Sequence, residues 1–271
     1  MESIPKSRYF IQSLAKGLKV LNELTEAKKP LALSEIAQAL KTNNAGATRL
    51  CYTLEQLGYI QRDNHRKYHL TPQVLSLGYA ALCEMDWKET AKFYLEELFA
   101  EVGENVNLAI LEGPFTIYLI RILNRDVLPY TVRVGSKVPV YCTSMGKVLL
   151  AFSPPEIVGP ILDALEFRPI TPHTITNLKE LMVEIEKIKR DGYALNYEEF
   201  SLGAGAVSAP VFGKDNDAIA AVSIGVSTMD YTRMDMFKNL VPPLQEKARL
   251  ITEALKSIEF DFRKTRRPKA S

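Results

Sequence analysis

A serine and a lysine lie at a spacing that some acyl-transferring enzymes use. Ser144-Met-Gly-Lys147 fits the pattern S-x-x-K, in which the serine is the nucleophile and the lysine lies beside it. The partner motifs S-D-N and K-T-G are absent from the chain, and a pattern with two fixed positions recurs often by chance. We therefore expect no catalysis by this pair, and an enzyme that acts on a small acid is kept as the alternative function.

The sequence also lacks the usual patterns for a cofactor or a metal ion. Gly203-Ala-Gly205 is missing the third glycine of a dinucleotide-binding loop, and no phosphate-binding G-x-x-x-x-G-K is present. His65 and His69 lie four residues apart without a third ligand nearby, and His173 is alone in a loop. Three widely separated cysteines predict neither a zinc knuckle nor a disulfide framework. We expect no cofactor and no bound metal.

The composition predicts a globular protein with room for two domains. The chain has 271 residues, of which 46% are apolar and 24% are charged, and this excludes collagenous and intrinsically disordered classes. The longest apolar run, residues 218–226, is far shorter than the ~20 residues that cross a bilayer. No apolar run follows the first charges, as a secretory signal would require. We expect a cytoplasmic protein without a membrane partner.

Charge is divided unevenly along the chain. Residues 1–70 contain 11 Lys and Arg against 6 Asp and Glu, residues 71–261 contain 18 against 26, and residues 262–271 contain five basic residues and no acidic one. The net charge of +2 therefore hides a basic head, an acidic body and a basic tail. A basic head points to a polyanionic partner, although such a segment is more often only a solvated surface.

The head begins with two helical patterns. The first covers residues 12–27, where the spacing of the apolar residues is that of an amphipathic helix. Ser34 is a good N-cap for a short second helix that runs to Lys41. The apolar face of the first helix consists of Leu14, Leu18, Leu21 and Leu24.

A third helix is predicted to start at Asn43 or Asn44 and to end before Gly58. A helical wheel places Ala47, Leu50, Cys51, Leu54 and Leu57 on its apolar face. The opposite face carries Asn44, Ala45, Thr48, Arg49, Tyr52 and Gln56. Polar, cationic and aromatic side chains on such a face can reach base edges and phosphates in a major groove. An ordinary helical hairpin with a polar outer face is the alternative.

A two-stranded hairpin is predicted directly after the third helix. Residues 59–62 and 67–70 have strand character, and the polar segment between them is typical of a turn. The hairpin would present Arg62, Arg66 and Lys67 to phosphates or to a minor groove. Three helices, a hairpin and local positive charge together predict a winged helix-turn-helix.

Eight segments of the chain resemble those of the IclR family of bacterial transcriptional regulators. In the head they are QSLAKGLKVL from Gln12, LSEIAQAL from Leu33, TRL from Thr48 and LEQLGY from Leu54. In the body they are VYCTSMGKVLLA from Val140, RDGY from Arg190, EEFSLG from Glu198 and VSAPVF from Val207. Their order and spacing match the family over nearly the whole chain, with closest similarity to activators of aromatic-acid catabolism that respond to 4-hydroxybenzoate.

The resemblance implies an α+β protein with a division of labour along the chain. Residues 1–72 would form the winged helix-turn-helix DNA-binding domain and residues 73–88 a linker helix. Residues 89–260 would form a GAF-like effector-binding domain, an antiparallel sheet with helices, and residues 261–271 a basic tail. The implied partners are double-stranded DNA, a small aromatic acid, a second copy of the chain in a homodimer or dimer of dimers, and RNA polymerase.

The head departs from the family at four positions. Lys41 and Asn43 stand where many members have Gly and Pro, and Ala45 and Gly46 where many have Ser or Thr. The loss of these hydroxyl groups means that the operator sequence does not follow from the resemblance. From the residues themselves we expect DNA contacts by Asn43, Asn44, Thr48, Arg49, Tyr52, Arg62, Arg66 and Lys67.

Small residues face one side of two late strands of the body. In residues 218–226, Val222, Ile224 and Val226 point one way, and Ala221, Ser223 and Gly225 point the other. The preceding strand is similar at Gly205, Ala206 and Ser208. Such a surface either lets a helix approach closely or leaves room for a ligand.

A helix that opens near Ser144 offers unpaired N–H groups and partial positive charge to a carboxylate. The resemblance places effector contacts, position by position, at Ser144, Met145, Asn196, Ala204, Ala206, Ser223 and Gly225. The residues alone add Tyr141 and Arg133. Arg133 interrupts an apolar strand around Tyr130, Val132 and Val134 and could pair with a carboxylate. An exposed strand arginine is the alternative for Arg133. The expected function is a ligand-responsive activator, with an architectural DNA binder without ligand as a third possibility.

Overall fold

A computed structural model describes residues 8–27, 29–83, 87–124 and 132–257 of the chain. It divides into two compact units, residues 1–85 and 86–271. The predicted basic tail, residues 261–271, lies outside the described residues. Within the described ranges, no helix is both long enough and apolar enough to cross a membrane.

The N-terminal unit is a winged helix-turn-helix. It contains α1 (Gln12–Ala27), α2 (Leu33–Ala39), α3 (Asn44–Gln56), the antiparallel strands β1 (Ile60–Arg62) and β2 (Tyr68–Leu70), and α4 (Gln73–Cys83). The helices α1, α2 and α3 and the hairpin share one core, because each turns an apolar face inward. The buried residues of this core include Val20, Leu24, Ile36, Cys51, Leu54, Ile60 and Tyr68.

The leucine face predicted for α1 is only half correct. Leu14 and Leu18 are 61% and 56% exposed, whereas Val20 and Leu24 are buried. All buried residues of α1 lie in its second half, because only that half contacts the rest of the core. The first two turns therefore present leucines to solvent.

The start predicted for α2 is also wrong. The helix begins at Leu33, and the carboxylate of Glu35 accepts a hydrogen bond from the backbone N–H of Ala32 at 2.7 Å. The carboxylate of a glutamate three residues after the cap residue can accept a hydrogen bond from a free backbone N–H at the helix start. Ser34 lies inside the first turn and is not the cap residue. The helix ends at Ala39 because Lys41 has a left-handed φ of 48°.

The C-terminal unit is an α+β domain built on one antiparallel sheet of six strands. The strand order is β5-β4-β3-β8-β7-β6. The strands are β3 (Asn105–Glu112), β4 (Phe115–Ile122), β5 (Lys137–Pro139), β6 (Ala194–Tyr197), β7 (Ala204–Phe212) and β8 (Ala218–Ser227). The helices are α5 (Trp87–Val102), α6 (Ser144–Phe152), α7 (Pro155–Asp163), α8 (Leu178–Asp191), α9 (Arg233–Asp235) and α10 (Val241–Ser257).

Helices cover both faces of this sheet. The helix α6 packs on the face that carries Ser208 and Ser223, and α10 packs against the opposite face of β7. Val222, Ile224 and Val226 are fully buried on the α10 side. The last helical segment of the unit contains a π-helical turn from Met236 to Leu240.

Candidate nucleic-acid surface and ligand cavity

The helix α3 presents a polar face to solvent. Its N-cap is Asn43, whose Oδ1 accepts a hydrogen bond from Gly46 N at 2.8 Å. Ala47, Cys51 and Leu54 are buried, and burial raises the pKa of the Cys51 thiol to about 11, so this thiol stays protonated at neutral pH. The exposed face consists of Asn44, Ala45, Thr48, Arg49, Tyr52 and Gln56.

Leu57 is a correction to the predicted apolar face of α3. It is 59% exposed, whereas Leu50 is half-buried. The helix ends at Gln56 and the chain turns away at Gly58, whose φ of 78° is left-handed. A wheel extended past the last helical residue therefore misplaces Leu57.

A tight turn aims three cations of the hairpin at solvent. The carboxylate of Asp63 accepts hydrogen bonds from the backbone N–H groups of His65 and Lys67 at 2.9 and 2.8 Å. These bonds hold the pKa of Asp63 below its usual value. The guanidinium of Arg62 lies 5.5 Å from the ring centre of Tyr68, which restricts its direction. The exposed cations are Arg62, Arg66 and Lys67.

A cleft of the C-terminal unit brings together seven of the nine residues expected at the effector site. It contains about 420 Å³ of unfilled space including its solvent-open mouth. The expected residues in its wall are Ser144, Met145, Asn196, Ala204, Ala206, Ser223 and Gly225. The residues that we did not expect there are Asn107, Tyr118, Thr143, Phe200, Ser201 and Gly205.

Arg133 and Tyr141 do not line this cleft. Arg133 is exposed and lies in a turn closed by Ser136, whose hydroxyl accepts from Arg133 N at 2.9 Å, so the strand predicted around it is wrong. The Tyr130 part of that prediction lies outside the described residues. Tyr141 is buried in the core, where its hydroxyl bonds to the backbone of Arg168 and its ring lies 5.1 Å from that of Phe167.

The start of α6 forms one end of the cleft. Thr143 caps this helix, and its hydroxyl accepts from Gly146 N at 3.0 Å. The N–H groups of Ser144 and Met145 hydrogen-bond to no described residue. Because the first N–H groups of a helix carry partial positive charge, this end favours an anion. The helix is buried throughout, and a Cβ atom at Gly146 would overlap the backbone of Val140.

The small residues of β7 and β8 both allow a helix to approach closely and leave open space in the cleft, the two alternatives that the sequence left open. Ser208 lies under α6, where its hydroxyl donates to Ser144 Oγ at 2.7 Å, so a small residue permits close approach of the helix. Ala206 and Gly225 are cross-strand partners and line the cleft. Gly205 lies on the α10 side of β7, where a Cβ atom would come within 3.1 Å of Met236.

A row of polar side chains crosses four strands below the cleft, and sequence reasoning missed half of it. Cross-strand pairing aligns Arg121 with Asn107, Asn107 with Ser223, and Ser223 with Ser208. Arg121 Nε donates to Asn107 Oδ1 at 2.9 Å, and Asn107 Nδ2 donates to Ser223 Oγ at 3.2 Å. Asn196, on the neighbouring strand, donates to the backbone carbonyl of Cys142 at 2.6 Å.

The lysine of the S-x-x-K pattern is part of a buried ion pair. Lys147 is 1% exposed, and its ammonium lies 2.6 Å from the carboxylate of Glu199. Burial raises the pKa of Glu199, and Lys147 opposes that rise. The second carboxylate oxygen, Oε2, is buried without a hydrogen-bond partner. Because the ammonium is committed to Glu199, this geometry does not favour Lys147 as a base for Ser144.

Across the ranges that the structure covers, no group of three or more His, Cys, Asp or Glu side chains is arranged to hold a metal ion. Burial raises the pKa of Cys142 to about 12, so this thiol is neutral at physiological pH. Among the side chains that line the cleft, none carries a formal charge. The cleft therefore offers hydrogen bonds and apolar contact.

Comparison with known proteins identifies both units. Residues 13–64 match the family model described as the IclR helix-turn-helix domain, and residues 79–253 match that of the bacterial transcriptional regulator IclR C-terminal domain. The "Pca regulon regulatory protein" of Pseudomonas putida is 28% identical over 236 residues, 87% of this chain and 81% of that protein.

Solved structures show the same architecture. A transcriptional regulator from Rhodococcus sp. RHA1 is similar with a TM-score of 0.75 and 32% identity, over 92% of this chain and 99% of that chain. An IclR homologue from Microbacterium hydrocarbonoxydans, solved as a complex with 4-hydroxybenzoate, has a TM-score of 0.74 and 22% identity, over 91% of this chain and 100% of that one. The matched families are transcriptional regulators and not enzymes. The chain is a DNA-binding transcriptional regulator that belongs to the IclR family.

Proposed function

We propose that the protein binds a pseudo-palindromic operator as a homodimer and changes its DNA binding when an aromatic carboxylate, 4-hydroxybenzoate, occupies the cleft. In this proposal it acts in the cytoplasm as an activator of catabolic genes, through contact with RNA polymerase. The observation that carries the DNA-binding part is the exposed polar face of α3 followed by a cationic hairpin. A helix of this kind enters the major groove while a hairpin meets the backbone.

Roles on DNA follow from what each side chain is free to do. Thr48, Arg49 and Tyr52 are exposed on α3 and would contact bases and nearby phosphates. Asn44 lies beside them, whereas the side chain of Asn43 is occupied as the cap and would position the helix start. Arg62, Arg66 and Lys67 would bind phosphates.

Exposed leucines on α1 support a homodimer. Leu14 and Leu18 lie on one face of the helix and are each more than half exposed, and Ile11 precedes them at 62% exposure. Contiguous apolar surface of this kind is typical of association sites. A second copy would cover it, and two copies place two recognition helices about one helical turn of DNA apart, roughly 34 Å.

The DNA-binding part is tested with a library of operator variants. Lys67→Gln should weaken binding to every sequence and lower the slope of log affinity against log salt by about 1, because one phosphate contact is lost. Arg49→Ala or Thr48→Ala should instead change the order of preferred sequences. If all three variants only rescale affinity across the library, α3 is not the recognition helix.

The effector part rests on the cleft. Its wall combines small residues with hydroxyl and amide groups, and its α6 end presents two free N–H groups. The 4-hydroxybenzoate complex of the Microbacterium homologue shows that this fold accommodates such a ligand. The similarity to a Pca regulon regulatory protein also favours the proposal.

A thermal-shift panel of small acids tests this part, run beside DNA binding with and without each compound. Binding of 4-hydroxybenzoate should stabilise the protein by mass action. Ser223→Leu should fill the cleft and abolish this response with DNA binding retained, and Ala206→Val should weaken it by less. If no acid stabilises the wild type, an architectural DNA binder without ligand becomes the better description.

A further inference from the structure

Arg121 is a charged residue that touches the cleft wall without lining the cleft. Its Nε donates to Asn107 Oδ1 at 2.9 Å, and its guanidinium carbon lies 5.9 Å from the ring centre of Tyr118. Asn107 and Tyr118 both line the cleft. In the part of the chain that the structure describes, no carboxylate lies within ion-pair distance of Arg121. Its positive charge is therefore free to influence the cleft.

Arg121 fixes which way the amide of Asn107 points. A guanidinium group has only donors, so the atom that faces it must be the amide oxygen. The amide nitrogen consequently faces Ser223 and donates to Ser223 Oγ at 3.2 Å. Because Ser223 accepts this bond, its own hydroxyl hydrogen is left to donate elsewhere, and Ser223 lies in the cleft wall at 2% exposure.

Across the α6 end of the cleft from Ser223, Ser144 and Met145 also offer hydrogen-bond donors. Ser208 donates to Ser144 Oγ at 2.7 Å, which leaves the hydroxyl hydrogen of Ser144 available. The N–H groups of Ser144 and Met145 are available as well. Ser144, Met145 and Ser223 therefore all offer donors to one end of the cleft.

We propose that Arg121 is a positioning residue that directs hydrogen-bond donors into this end of the cleft, so that the site selects a planar carboxylate over its neutral amide isostere. The inference rests on the proposed effector function and adds a determinant of its ligand class. Arg121 acts through Asn107 and through its positive charge, and it does not touch the ligand. A site built of donors penalises a ligand NH₂ group, since two donors then face each other unpaired.

The test compares 4-hydroxybenzoate with 4-hydroxybenzamide by calorimetric titration of the full chain. The wild type should bind the acid at least about tenfold more tightly, the size of one charge-assisted hydrogen bond. In Arg121→Met the affinity for the acid should fall by about tenfold or more and that for the amide by less than about twofold. Arg133→Met, which removes an exposed arginine of the same unit, is the matched control and should change neither affinity.

Two further arms separate the possible failures. Arg121→Gln keeps a polar group that can present either its oxygen or its nitrogen to Asn107, so this variant should also lose the preference for the acid. It keeps the test informative if Arg121→Met does not fold. If the wild type prefers the acid and the Arg121 variants keep the same ratio of acid to amide affinity, the proposed role of Arg121 is wrong. The effector function is then unaffected. A wild type that binds neither compound would overturn both proposals.

Discussion

The helices α3 and α6 begin alike and have opposite surroundings. In each, the side chain of the cap residue accepts a hydrogen bond from a glycine three residues later: Gly46 N donates to Asn43 in α3, and Gly146 N donates to Thr143 in α6. The polar face of α3 is exposed, whereas residues 144–151 of α6 are all buried. The same local start therefore serves a helix at the surface and a helix in the interior.

The difference follows from the size of the partner that each helix suits. A duplex is too large to be enclosed, so in the proposed function α3 would offer side chains such as Arg49 and Tyr52 from an exposed face, and the binding energy would be shared among many contacts. A small acid can be enclosed, so in the proposed effector site the backbone N–H groups of Ser144 and Met145 would suffice, and they would lose little to competing water. Substitutions should consequently cost stability in α6 and affinity in α3.

The largest expected effect of this contrast is at Lys147. Lys147→Met leaves the buried carboxylate of Glu199 without its cation, and breaking a buried pair in this way costs about 3–5 kcal/mol. Unfolding is followed by the fluorescence of Trp87, the single tryptophan, which is buried in the C-terminal unit. Lys189→Met breaks an exposed pair with Glu186 and should cost less than about 0.5 kcal/mol. Equal losses in the two variants would refute the importance of burial.

The same variant should also change the dependence of stability on pH. Burial already raises the folded-state pKa of Glu199 above its ordinary value, and Lys147 is the main group that lowers it. Without Lys147 the pKa rises further, so the folded state holds a proton that the unfolded state releases. Stability is then highest below the ordinary pKa of a glutamate and falls as pH rises through the folded-state value. A loss that is no larger at pH 8 than at pH 5 would contradict this.

Sequence patterns predicted α3 better than α6 for a physical reason. A surface helix exposes one face to solvent, so a helical wheel separates the exposed Thr48 and Arg49 from the buried Cys51. A helix buried on all sides gives no such separation, and Lys147 was therefore considered only as part of a motif. Its partner Glu199 is 52 residues away, and nothing in either local sequence indicates the pair.

Charged residues in the body show the same limit. Arg121 lies in a strand that is apolar on both faces by sequence, and only the register with Asn107 reveals its role. Arg133 was expected on a strand beside the ligand, but it lies in an exposed turn. Cleft residues such as Ser223 and Gly225 were found because small side chains on neighbouring strands leave a visible pattern.

The next largest effect is expected at Gly146. In Gly146→Ala the new methyl group would overlap the backbone of Val140, which cannot rotate away as a side chain would. Overpacking in a core costs about 1–3 kcal/mol, and an immovable neighbour places this variant at the upper end. Trp87 fluorescence should report the loss, and the stabilisation by 4-hydroxybenzoate should fall with it, since the start of α6 must shift away from Val140. A variant as stable as the wild type would mean that α6 packs less tightly than this.

A smaller effect is expected from the cap of α3. Asn43→Ala removes the acceptor for Gly46 N and should cost about 1 kcal/mol of helix stability. Asn44→Ala, one residue later and without a capping bond, is the control and should be close to neutral. Hydrogen exchange of the α3 amides measures both. If the two variants behave alike, the cap contributes nothing and the start of α3 is held by its core contacts.

The smallest effect is expected at Gly46, in the same position of α3 as Gly146 in α6. A methyl group there would meet Thr42 Oγ1 at 2.8 Å and Asn43 Oδ1 at 3.2 Å, both at the ends of side chains that can rotate. Alanine also favours the helix over glycine by up to about 1 kcal/mol, which offsets the cost of moving Thr42. Gly46→Ala should therefore leave the calorimetric unfolding temperature nearly unchanged. A loss of stability as large as that of Gly146→Ala would contradict this expectation. It would show that a glycine is required at this helix position even where its neighbours are side chains that can move.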